Sequence, residues 1–242
     1  MERFEHLKTI YDERLDDEQI VEQKLKTGGD PNFNLIIMGG TYIVFAVHAI
    51  YSLKDLDLAR NYFYKAARID EYRGVNLKRC ILDTGINPIS YALLSDNHDL
   101  IQRFCKLQNS KCHELSVGFQ ISHAVLNILS NEMEKLEENI QKIERFVKVR
   151  TLKWWAPMVD VFLGFLSKEE GLIEAGLKQL IKTDSKRNDD PLISRFFSPD
   201  VSGLCKLAWI KGYEIDLKNE MVPLELMPIK PLDHYEDYPF LK

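Results

Sequence analysis

The sequence predicts an all-α protein, an irregular TPR-like stack of helical hairpins, and three observations carry that expectation. Apolar residues recur three and four apart over residues 46–73, 119–156 and 204–211, with no sustained alternation. Proline and glycine are sparse, nine and twelve in 242 residues, so long stretches run without a break. A local pattern also repeats: an apolar helix ends at a serine, a short polar turn follows, and a charged amphipathic helix begins.

Taken in order, Gly28-Gly29-Asp30-Pro31 is turn chemistry. Leu35-Ile36-Ile37-Met38 is the best strand-like run, but it leads directly into a helical pattern, and Gly39-Gly40 reads as loop before a helix start. The first hairpin, about 41–69, joins Phe45–Ser52 to Asp55–Ile69 through Lys54. The second, 88–108, joins Ile89–Ser95 to Asp99–Leu107; the third, 118–147, joins Ile121–Leu129 to Glu132–Val147; the fourth, 157–182, joins Val159–Leu166 to Glu170–Ile181.

The turn serines at 52, 95, 130 and 167 are 43, 35 and 37 residues apart, the length range of helical-pair repeats. A lone hairpin cannot bury its own apolar face, so neighbours must stack. Ser52-Leu53-Lys54-Asp55 and Ser167-Lys168-Glu169-Glu170 fit S-x-x-[DE], the capping box that satisfies free amides at a helix start. A polar loop at 183–191 precedes a final helix, 201–211, closed by Gly212. Pro223, Pro228, Pro231 and Pro239 then impose an extended tail over 213–242, all within one helical domain, 1–242. The competing description is an irregular helical bundle whose turns coincide.

Charge and composition narrow the function. A net charge of −5 opposes a dedicated nucleic-acid binder, which needs surplus Lys and Arg, and suits a basic partner. Cys80, Cys105, Cys112 and Cys205 form no C-x-x-C pair and read as reduced, mostly buried thiols of a cytoplasmic protein. Residues 1–6 are polar and lack a secretory signal, and the longest apolar run, Tyr42 to Ile50, is too short for a bilayer.

No catalytic or cofactor motif emerges. Neither H-E-x-x-H nor H-x-x-E-H occurs, and Cys112-His113-Glu114 is too local to converge on a metal. G-x-S-x-G and G-x-G-x-x-G are also missing, so no catalytic residue, cofactor or metal is expected. An enzyme would need a non-local site built from His98, His113 and acids. The acidic run Asp12, Glu13, Asp16, Asp17 and Glu18 is a solvated helix face or a docking face for a basic partner. Trp154 and Trp155, joining two helices, are inter-helix wedges or an interface anchor. Asp233, Glu236 and Asp237 lie in an acidic, aromatic tail that either packs along the helices or contributes to a binding surface.

Three segments support a family resemblance: Pro88-Ile89-Ser90-Tyr91-Ala92-Leu93-Leu94-Ser95-Asp96-Asn97-His98-Asp99-Leu100-Ile101, Leu166 to Leu177, and Phe196-Phe197-Ser198 with Gly203 to Tyr213. Together they resemble the immunity 49 family, helical bacterial proteins encoded beside secreted toxins, over roughly residues 85–230. The resemblance implies a stoichiometric inhibitor that binds a cognate toxin protein and blocks its active site or its substrate's approach, with no catalytic residues. The acidic balance would suit a nuclease or other basic effector. A TPR-like adaptor or chaperone that cradles peptides in a concave groove is the alternative.

Overall fold

The computed structural model describes residues 2–107, 114–188, 190, 193–238 and 241, with side chains from residue 5 onward. Among the described residues there are helices and no strands. Two short helices, α1 (Glu2–Asp12) and α2 (Asp17–Lys26), precede α3 (Pro31–His48) and α4 (Leu56–Val75). Next come α5 (Asn87–Leu94), α6 (His98–Cys105), α7 (Val117–Ser130) and α8 (Met133–Phe146). The chain continues through α9 (Pro157–Ser167), α10 (Glu170–Lys182) and α11 (Pro199–Ile210) to an extended tail.

Helix pairs stand at these four places, as α3–α4, α5–α6, α7–α8 and α9–α10, but the first pair begins at Pro31 and ends at Val75, well outside the expected 41–69. A left-handed residue ends the leading helix of each: Lys54, Asp96, Asn131 and Lys168 have φ of 57°, 58°, 59° and 60°. Caps then restart the chain at two of them, where Asp55 accepts from Leu58 N–H and Asn97 from Leu100 N–H. The serine-led capping boxes do not form. Ser52 lies in a π-helical turn, Ala49–Leu53, and Ser167 ends α9 with its hydroxyl donating to Leu163 O. At Ser95 and Ser167 the hydroxyl returns to its own helix and the next residue makes the turn.

Gly39 and Gly40 need a second correction, since they sit inside α3 and not in a loop before it. That helix starts at the Gly28–Pro31 turn, where Asp30 accepts from the N–H groups of Asn32 and Phe33 and Pro31 occupies a first-turn position. The acidic run at 12–18 is likewise not one helix face: it straddles the turn between α1 and α2.

Consecutive hairpins pack in order, with α4 on α5, α6 on α7 and α8 on α9. In α8, Leu136, Ile140 and Ile143 form the buried stripe that the helical period requires. Gly164 and Gly176 bring α9 and α10 together almost backbone to backbone, since a Cβ on Gly176 would lie 2.8 Å from Val161 N. The last helix departs from a plain stack: α11 returns to pack against α5, α7 and α10. An open solenoid, by contrast, has contacts only between successive repeats.

Candidate functional site

Charge is organised here in two layers, one buried and one facing solvent. At the centre, Asp96 accepts from Arg60 Nε at 2.9 Å and pairs with Lys206 Nζ at 2.6 Å. Lys206 is fully buried and donates to the carbonyls of Leu226, Met227 and Pro228 at 2.8–3.1 Å. Burial pulls its ammonium pKa below the ordinary lysine value, and Asp96 opposes that shift. The Lys230 backbone N–H also donates to Asp96, while its side chain reaches Asp57 at 3.0 Å. This hub binds α4, the α5–α6 turn, α11 and the tail into one frame.

A second buried cluster fixes the polar loop to the start of α11. Arg187 Nε donates to Asp200 at 2.9 Å, and the Ser198 hydroxyl bridges Asp184 and Asp200. Burial raises the Asp184 carboxyl pKa, the Ser198 bond opposes that, and Asp200 adds to it.

Held by the hub, the tail is laid along α4. Glu236 N–H donates to Asn61 Oδ1 at 2.9 Å, and Asp237 accepts from Tyr64 at 3.4 Å and from Arg68 Nε at 3.1 Å. Glu18 of α2 reaches the same side, accepting from the Tyr42 hydroxyl and lying 3.6 Å from Lys65 Nζ. The Lys65 ammonium in turn lies 4.4 Å and 4.8 Å from the ring centres of Tyr42 and Tyr238, a desolvated cation–π arrangement. Tyr42 and Tyr238 have their phenol pKa values driven far up, first by burial and then by this network. Half-buried Tyr62 is raised too, by burial, with Tyr11, Glu236, Asp55 and Glu18 adding to it.

Of the residues singled out in the sequence, Glu18, Glu236 and Asp237 are thus brought together on α4. Asp12 pairs with Lys8 at 2.6 Å, and Asp17 with Arg14 at 3.2 Å and Thr41 at 2.6 Å, on the α1–α2 side. Asp16 and Asp233 are exposed. Trp154 and Trp155 are half-buried before α9, where Lys153 and Arg187 lie over their rings at 4.3 Å and 5.6 Å. No motif in the sequence reaches Tyr62, and Asp55 enters there only as a helix cap.

A polar cleft of about 460 Å³ lies between α7 and α8, with His123 stacked on Phe119 at 3.9 Å. Burial lowers the His123 pKa, and Asp83 and Glu114 oppose the shift. His98 is exposed at the start of α6 and does not line that cleft, while His113 and Cys112 lie outside the described residues. Among the described residues no group of three or more His, Cys, Asp or Glu side chains is placed to hold a metal ion.

The fold and its charge define a helical protein in which buried ion pairs hold an acidic C-terminal tail against α4. The chain belongs to the immunity protein 49 family, whose description, "Immunity protein 49", matches residues 53–226. The match reaches further towards the N-terminus than the resemblance at 85–230 and takes in the whole of α4. No curated protein and no solved structure matches the chain.

Proposed function

We propose that the chain is a stoichiometric immunity protein that binds a cognate toxin protein and neutralises it by direct contact. The family match over residues 53–226 is the observation that carries this reading. The acidic face is its proposed contact surface: Glu18, Asp55 and Glu236 surround half-buried Tyr62, Asp237 pairs with Arg68 on the same tail, and exposed Asp16 and Asp233 are further acids assigned to it in this reading. Preorganised carboxylates beside tyrosines suit a basic partner, whose arginines find both ion-pair and ring contacts. A peptide-cradling adaptor needs an open concave groove, and the return of α11 against α5 and α7 does not favour one.

The test is co-expression with the toxin encoded by the neighbouring gene. Rescue of growth and a 1:1 complex on size exclusion are expected. Glu236→Lys with Asp16→Lys, neither of which breaks an ion pair among the described residues, should weaken the complex by about tenfold or more. Failure of the wild-type chain to rescue, together with no complex, would refute the immunity reading. Full affinity in the charge-reversed protein would place the contact elsewhere.

A further inference from the structure

The α3 helix has a second apolar face that the fold leaves uncovered. It has no Asp, Glu, Lys or Arg along its 18 residues, and 67% of the apolar 18-residue stretch found within Pro31–Leu53 is buried in the protein. On the remaining face Phe33 is 59% exposed and Ile36 46% exposed, followed by half-buried Ile37 and Gly40. A Cβ on Gly40 would meet nothing within 4 Å. An open cleft of about 480 Å³ runs beside Ile36, Ile37 and Gly40, walled by Glu13, Arg14 and Asp17. Ile20, one turn on from Asp17 in α2, is also exposed. Contiguous exposed apolar surface of this kind marks a protein contact.

We propose that this face joins a second copy of the chain, with the two α3 helices antiparallel about a two-fold axis passing between Ile36 and Ile37. The strip is self-complementary in that register. Phe33 and Gly40 lie equally far from the axis, about 10 Å apart along the helix. Each exposed ring therefore falls over the empty position at Gly40 of the partner subunit, while the isoleucines meet at the centre. Such matching of one surface with itself is what a two-fold interface demands.

Charge favours a second copy over a basic partner. The strip is neutral, and the cleft wall carries both signs, with Asp17 already paired to Arg14 at 3.2 Å. A two-fold brings Arg14 of each subunit towards the Glu13 of the other, so the wall need not repel itself. The strip alone falls short of the roughly 800 Å² per partner that a stable dimer buries, so the dimer is a weak one that forms at high protein concentration.

Sedimentation equilibrium on the full chain at about 100 µM tests the proposal, and a mass of twice 28.2 kDa is expected. Ile36→Glu should weaken the dimer about a hundredfold, and Gly40→Leu, which fills the space opposite Phe33, about tenfold. Both variants should keep the wild-type circular dichroism spectrum. A monomer at that concentration overturns the proposal, including one that instead binds neutral phosphatidylcholine vesicles. A dimer indifferent to both substitutions overturns it too, because its contact lies on another face. Either failure leaves toxin neutralisation untouched, which is read by rescue and complex formation.

Discussion

Lys206 is the residue on which the tail depends. Its ammonium is the donor for the carbonyls of Leu226, Met227 and Pro228, and it shares Asp96 with Arg60. Lys206→Met keeps most of the volume but strands those carbonyls and leaves Asp96 with one cation fewer. A loss of about 3 kcal/mol in urea unfolding is expected, the usual cost of breaking a buried pair from one side. Faster proteolysis between residues 213 and 238 should accompany it. A loss below about 1 kcal/mol would show that water replaces the ammonium at little cost.

At the scale of elements, the α9–α10 hairpin offers a matched pair of glycines. In α10 a Cβ at Gly176 would lie 2.6 Å from Val161 Cγ2 and 2.8 Å from Val161 N, whereas one at Gly171 meets nothing within 4 Å. Gly171→Ala should therefore stabilise by about 0.5–1 kcal/mol through helix propensity. Gly176→Ala should destabilise by about 2 kcal/mol, because overpacking against a backbone outweighs that gain. Thermal melts of the two variants decide it, and equal shifts would mean that α9 moves aside freely.

The hairpins themselves were legible because each pairs an apolar helix with an amphipathic one across a polar break. The last two matched closely: the periods at 118–147 and 157–182 became α7–α8 and α9–α10. What misled was chemistry that serves two ends. Serine suits both a helix start and a helix end, so Ser52 and Ser167 marked real turns with the wrong capping partner. Gly39-Gly40 looked like a break, yet burial of Leu35, Met38, Tyr42 and Phe45 on either side outweighs the glycine penalty and carries α3 straight through.

At the scale of the molecule, the buried apolar side chains among the described residues form one cluster running from Leu7 to Leu241, so α1 and the tail contribute to the same core. The convergence of Glu18 with Glu236 and Asp237 was not legible, because partners more than two hundred residues apart leave no periodic trace. Two histidines in that structure set its response to acid. His48, stacked on Tyr11 at 4.1 Å, has a buried Nδ1 that finds no hydrogen-bond partner among the described residues. Burial lowers its pKa below 6.5, against an opposing pull from Asp12, and His123 is lowered in the same way. The unfolded chain therefore binds more protons than the folded one as pH falls below about 6.5, and stability drops by up to about 1.4 kcal/mol per pH unit for each histidine still neutral when folded. Asp70 and Asp184, raised from 3.8 by burial, act with the opposite sign as acid protonates them in the fold. Melting temperature should thus fall between pH 7.5 and 5.5, and His48→Gln with His123→Gln should flatten the slope. A flat or rising wild-type profile over that window, or an unchanged slope in the double variant, would mean that neither imidazole stays neutral in the folded protein.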